Sequence, residues 1–144
     1  MKNILVLCTG NSCRSQMAEA YLKHFAAENV QVYSAGIQAH GLNLKAIQVM
    51  KEDGIDISNH TSNTIEEFSH IDFDIVITVC DHAKESCPYL PAKVMSMHYN
   101  FPDPAKAKGT DEEILNVFRD VRHQIKIFCK DVVKLPNNMF TPKN

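Results

Sequence analysis

Apolar runs alternate along this chain with amphipathic stretches, and the alternation sets the expected elements. Ile4-Leu5-Val6-Leu7 is a short, wholly apolar run of the kind buried in a parallel sheet. From Ser15 to about Glu28, Met17, Ala20, Tyr21, His24 and Phe25 recur along one side of a helix. Val30 to Tyr33 reads as a second strand, ended by Ser34-Ala35-Gly36. Asn43 to Asp53 is a second helix, with Leu44, Ile47, Val49 and Met50 as its apolar face and Gly54 as its stop. A short helix fits Ile65 to Phe68, Phe73 to Val79 is the third strand, and Lys93 to Met97 is a weaker fourth. Thr110 and Glu113 form the capping box of a last helix. Behind it Ile114, Val117, Phe118, Val121, Ile125, Phe128 and Val132 follow at helical spacing. The polar, proline-punctuated tail 136–144 is expected to fray, leaving 1–135 as a single domain.

Strands alternating with helices predict an α/β fold: a three-layer sandwich, its four-stranded parallel sheet in the order 2-1-3-4, with helices on both faces. In that order the first and third strands are neighbours, and ligands bind in the crevice at their carboxyl ends. Cys8 follows the first strand and Cys80 ends the third, so both open into one crevice. The loop after the fourth strand, carrying Asp103, ends on the same side.

Composition narrows the function classes. With 144 residues, 44% hydrophobic and 22% charged, the chain is an ordinary globular protein with one sizeable core. A net charge of -2 gives no general attraction for nucleic acid or anionic membrane, so any anion site must be local. The apolar run from Ile4 to Cys8 is too short for a signal peptide or a membrane span, which predicts a cytoplasmic protein. In that compartment five cysteines, an odd number, are poorly explained as a disulfide framework, and catalytic, redox or buried roles remain. Cys129, on the apolar face of the last helix, is expected in the core. The seven histidines show no zinc spacing, so no metal is expected, and His40 and His60 read as turn and capping residues.

Cys8-Thr9-Gly10-Asn11-Ser12-Cys13-Arg14-Ser15 is a Cys-x5-Arg-Ser loop between a strand and a helix. Successive backbone N–H groups of such a loop converge on one tetrahedral oxyanion, aided by the positive end of the helix. Arg14 can hold two oxygens of the anion bidentately. The same field favours a thiolate, so Cys8 is expected to have a lowered pKa and to act as nucleophile. Ser15 can donate to its sulfur, Asn11 can adopt a left-handed turn and brace the loop, and Cys13 packs beside the anion as filler.

The run from Cys8 to Glu19 resembles the signature of thioredoxin-coupled arsenate reductases, which share the fold of low-molecular-weight protein tyrosine phosphatases. Similar stretches continue through Tyr33 to Ile37, His40 to Asn43, Gly54 to Asn59, Val79-Cys80, Cys87-Pro88 and Phe101 to Ala105. The phosphatases usually carry proline after Arg-Ser, where this chain has Gln16, and they lack the later pair of cysteines. The resemblance implies a relay. Cys8 attacks arsenate, Cys80 attacks Cys8 to release arsenite and leave a Cys8–Cys80 disulfide, and Cys87 attacks Cys80. The resulting Cys80–Cys87 disulfide is presented to thioredoxin as reductant, with phosphate as competitor. Asp103, before Pro104, matches the family's acid, and Pro102 stiffens its loop. Glu19 and Ser34 can brace Asn11, and in the family such residues help form a monovalent-cation site. No tightly bound cofactor is expected, and size and composition favour a monomer.

Chemistry separates the alternatives. A tyrosine phosphatase needs Cys8, Arg14 and Asp103 only, because water completes its reaction. Arsenate reduction takes two electrons from thiols and so needs Cys80 and Cys87 as well. A non-catalytic oxyanion or redox sensor would bind or oxidise without turnover. Cys80 and Cys87 are seven residues apart, a rise of roughly 10.5 Å in a helix. A disulfide needs Cα atoms within about 4.4–6.8 Å, so a helix between them must unwind on oxidation.

Overall fold

A computed structural model of the chain describes residues 2–86 and 94–135. Cys87 and the tail 136–144 lie outside the described residues. The elements run β1 (Lys2–Cys8), α1 (Arg14–Phe25), β2 (Val30–Gly36), α2 (Leu44–Glu52), β3 (Ile75–Thr78), α3 (Asp81–Ser86), β4 (Met95–His98) and α4 (Asp111–Val132). Single 3-10 turns occupy Ile65–Phe68 and Pro104–Lys106. The strands are all parallel, in the order β2-β1-β3-β4, as the alternating pattern predicts.

The central position of β1 explains its composition. Ile4, Leu5, Val6 and Leu7 are no more than 1% exposed, because strands flank them on both edges and side chains cover both faces. Each such burial contributes about 1.5–3 kcal/mol. Ser34 of β2 bonds to Glu19 of α1 at 2.7 Å, which puts that side chain on the α1 face. By strand alternation Tyr33 points to the other face, where its ring meets Phe68 and Phe73. α1 packs along α4, α2 also leans on α4, and α3 sits against β1 and β3.

Three features depart from the sequence pattern, each for a tertiary reason. β2 continues through Ser34, Ala35 and Gly36, because those small residues pair with Val6, Leu7 and Cys8 of β1. Arg14 to Leu22 of α1 are buried on every side rather than along a stripe. Leu44 is 81% exposed at the start of α2, and Ala46, Val49 and Met50 make the buried face instead. The capping box of α4 forms as predicted, between Thr110 and Glu113. Cys129 is fully buried there, its Sγ donating to the Ala18 carbonyl at 3.6 Å, and burial pushes its thiol well up. No helix among the described residues is long and apolar enough to cross a membrane.

Candidate active site

The register brings Cys8, Gly36 and Thr78 to one end of the sheet, and the loop 9–13 wraps over that end before α1 starts at Arg14. Its carbonyls are turned outward. Those of Cys8, Thr9, Gly10 and Ser12 accept from the N–H groups of Ile37, Gln38, His40 and Asn43 at 2.9–3.3 Å. The Asn11 carbonyl accepts from Ser62 Oγ at 2.9 Å and from Gln16 Nε2 at 3.1 Å. Among the described residues, no carbonyl accepts from the N–H groups of Gly10, Asn11 or Ser12. The first turn of α1 carries no acidic side chain, so its positive end is uncompensated.

Asn11 locks this shape. It has φ +48°, the left-handed conformation expected of it, and is fully buried. Its Nδ2 donates to Ser15 Oγ at 2.8 Å and Ser34 Oγ at 2.9 Å, while its Oδ1 accepts from the Asn63 N–H at 2.8 Å. Gly36 is needed for close approach: an added Cβ would stand 2.3–2.8 Å from Gln38 O, Thr9 O and Asn11 N. All three are backbone atoms of the loop or of the segment that holds it.

Arg14 closes the loop. Its Nη1 donates to the Phe101 carbonyl at 3.1 Å, and its Nη2 lies 3.6 Å from Asp103 Oδ2. The remaining donor, Nε, is buried without a partner. Asp103 also caps the Pro104–Lys106 turn, accepting from the Ala105 N–H at 3.0 Å. Arg14 and Asp103 line a cavity of about 330 Å³ together with Thr9, Cys80, Asp81, His82, Asn100 and Lys106. Cys13 is buried, its Sγ 4.0 Å from Asp103 Oδ1, which fits filler packing.

Cys8 and Cys80 meet here as expected, near enough that each thiol shifts the ionisation of the other. The Cys80 thiol is pulled down to about 5. The neighbouring Cys8 thiol is the largest cause, and with the Thr9 hydroxyl at 3.3 Å, the Ala83 N–H at 3.3 Å and the Arg14 charge it outweighs burial. Cys8 is raised by the neighbouring Cys80 thiol and by burial, against Arg14 and the Thr9 N–H. The two thiols therefore titrate as a pair rather than singly. Arg14 and the donors around the pair favour one thiolate shared between the two sulfurs, with the Thr9 hydroxyl and the Ala83 N–H placed to hold it when it sits on Cys80. Ser15 differs too: its Oγ accepts from Asn11, and no bond from it to the Cys8 sulfur occurs among the described residues.

Sequence reasoning missed the outer brace. Gln16 is fully buried and donates to the carbonyls of Asn11 and Thr61, while its Oε1 faces His60 Nδ1 at 3.0 Å. The signal was a polar residue on the first turn of the helix, where related phosphatases have proline. His60, expected as a turn residue, also lies 3.3 Å from Glu19 Oε2, and burial lowers its pKa. Glu19 itself accepts from Ser34 at 2.7 Å and from Lys23 Nζ at 2.7 Å. It is the one acidic residue lining a neighbouring cavity of about 320 Å³, and the chain's own ammonium already answers its charge. Among the described residues, no group of three or more His, Cys, Asp or Glu side chains could hold a metal ion.

Comparison with known proteins agrees with this geometry. The family model for low molecular weight phosphotyrosine protein phosphatase matches residues 3–138. A protein of Halalkalibacterium halodurans named arsenate reductase is 53% identical over 124 residues, covering 86% of this chain and 89% of the relative. A solved arsenate reductase in an oxidized state superposes with a TM-score of 0.80 at 34% identity, covering 92% of this chain and 97% of that one. Another, in a phosphate-binding state, gives 0.73 at 36% identity with the same coverage. The chain belongs to the low molecular weight phosphotyrosine protein phosphatase family, among those of its members that are named arsenate reductases.

Proposed function

We propose that this chain is a cytoplasmic arsenate reductase that works through Cys8, Cys80 and Cys87 and is recycled by thioredoxin. One observation supports the reading: loop N–H groups that no carbonyl takes up among the described residues, and the orphaned Arg14 Nε, stand beside two thiols that titrate as a pair. A tetrahedral oxyanion satisfies the donors, and a second thiol in contact with the first suits electron transfer rather than hydrolysis.

Cys8 hands its hydrogen to Cys80 and attacks arsenic; an S–As bond forms, and Asp103 protonates the oxygen that leaves as water. Cys80, once deprotonated, attacks Cys8 Sγ. The S–S bond forms as the S–As bond breaks, and its electron pair stays on arsenic, which falls from As(V) to As(III) and leaves as arsenite. Cys87 then attacks Cys80 Sγ, freeing Cys8 as a thiolate. A thioredoxin dithiol reduces the Cys80–Cys87 disulfide. A single copy supplies every group, consistent with a monomer.

Arsenate-dependent NADPH oxidation with thioredoxin and thioredoxin reductase tests this reading. Sustained turnover inhibited by phosphate is expected. Hydrolysis of an aryl phosphate without arsenate turnover would replace the reading by a phosphatase.

The relay also requires α3 to change. Residues 81–86 are helical, and the rise expected between positions 80 and 87 exceeds what a disulfide tolerates. Oxidation is therefore expected to speed amide hydrogen exchange across 81–86. Equal exchange in the reduced and oxidised forms would rule out the unwinding.

A further inference from the structure

The first turn of α3 carries a histidine that the relay does not use. His82 Nδ1 lies 3.3 Å from Thr9 Oγ1, and the same hydroxyl lies 3.3 Å from Cys80 Sγ. Both residues line the cavity that holds Arg14 and Asp103. A threonine hydroxyl has one hydrogen to give. Thr9 donates either to Cys80 or to His82, never to both.

We propose that His82 is a positioning residue that fixes the direction of the Thr9 hydroxyl and thereby couples the ionisation of Cys80 to that of an imidazole. As imidazolium, His82 offers only a donor at Nδ1. It gives that hydrogen to Thr9 Oγ1, and the hydrogen of the hydroxyl turns to Cys80, where it holds the thiolate. Neutral with its hydrogen on Nε2, His82 accepts at Nδ1 instead. It then draws the hydroxyl away, and Cys80 loses a donor. The protons released by Cys80 and by His82 Nδ1 go to water, and no covalent bond other than these S–H and N–H bonds changes.

The other charged groups around the pair leave this contact intact. Cys8 faces Cys80 from β1 and Arg14 from α1. Asp103 and Lys106 approach from beyond β4, with Asp103 turned toward Arg14 at 3.6 Å. On α3 itself, Asp81 is taken by His98 Nε2 at 2.7 Å, and Lys84 and Glu85 are exposed. Among the described residues, Thr9 is the hydrogen-bond partner of His82.

The inference rests on reading Cys80 as a relay thiol, yet its test needs no arsenate. Cysteine 13Cβ and histidine 13Cε1 resonances of the full chain are followed by NMR against pH. His82→Phe is expected to raise the Cys80 midpoint by roughly half to one pH unit, a three- to tenfold loss of thiolate below that midpoint. His82→Asn, a donor that does not titrate, recovers part of the shift. In a Thr9→Val background the His82→Phe effect disappears. Linkage demands the reciprocal result: in Cys80→Ser the His82 midpoint falls by a comparable amount. An unmoved Cys80 midpoint in His82→Phe, an equal shift in Phe and Asn variants, or an unmoved His82 midpoint in Cys80→Ser overturns the proposal. A phosphatase outcome in the turnover assay would remove the relay reading and leave these midpoints as they are.

Discussion

Serine at Cys80 is expected to cut arsenate turnover at least ~1000-fold while leaving aryl phosphate hydrolysis within a fewfold of the wild type. Serine at Cys8 is expected to abolish both. The asymmetry follows from which step each sulfur serves. Cys8 lies at the mouth of the loop whose N–H groups and Arg14 would hold the oxyanion, so any chemistry at that anion passes through it. Cys80 contacts the Cys8 thiol and Thr9, which suits attack on sulfur but not on the anion. Without Cys80, water can still complete a phosphatase cycle, whereas arsenic cannot take its electron pair. The pH dependence carries a sign. The depressed ionisation of the pair keeps one thiolate present above about pH 5, so arsenate turnover should fall as pH drops through that value. NADPH-coupled and aryl phosphate assays on the two variants and the wild type make the comparison. Arsenate turnover surviving in Cys80→Ser would mean that another thiol resolves Cys8.

The sequence showed the fold where local pattern and tertiary environment agree. The apolar run of β1 and the capping box of α4 are such places, since a central strand must be apolar on both faces and the cap is closed within four residues. Pattern failed where distant segments set the rule. Ser34, Ala35 and Gly36 look like a turn, yet they pair with β1, and at Gly36 the loop leaves no room for a side chain. The site was legible in the same measure. Cys-x5-Arg is contiguous and carries its chemistry in its spacing. The N–H of Gln38 and the side chain of Ser62 reach the loop from other segments, the Thr61 carbonyl and the His60 ring brace it through Gln16, and nothing local marks them. The state of the thiols was least legible, because the loop predicts a field but not which of two sulfurs the donors favour.

Alanine at Arg14 is expected to lower kcat/KM for arsenate by about 100- to 1000-fold, a loss of about 3–4 kcal/mol of transition-state binding. The residue is arranged for this at a cost to the resting fold. Arg14 is 8% exposed, and its guanidinium has one hydrogen bond to Phe101, a carboxylate at 3.6 Å and a buried Nε with no partner among the described residues. Burying an unpaired donor costs roughly 1–3 kcal/mol. Removing the whole side chain therefore gives up the bond to Phe101 but also relieves that strain, so stability should change little. Lysine keeps the charge but not the planar fork, and should recover only part of the activity. Thermal unfolding with and without phosphate separates binding from folding. Phosphate should raise the Tm of the wild type, because a ligand that binds the native state alone stabilises it. Arg14→Ala should melt near the wild type without phosphate and gain little from it. A large drop in Tm in the absence of phosphate would instead make Arg14 a structural residue, with its bond to Phe101 worth more than the orphaned Nε costs.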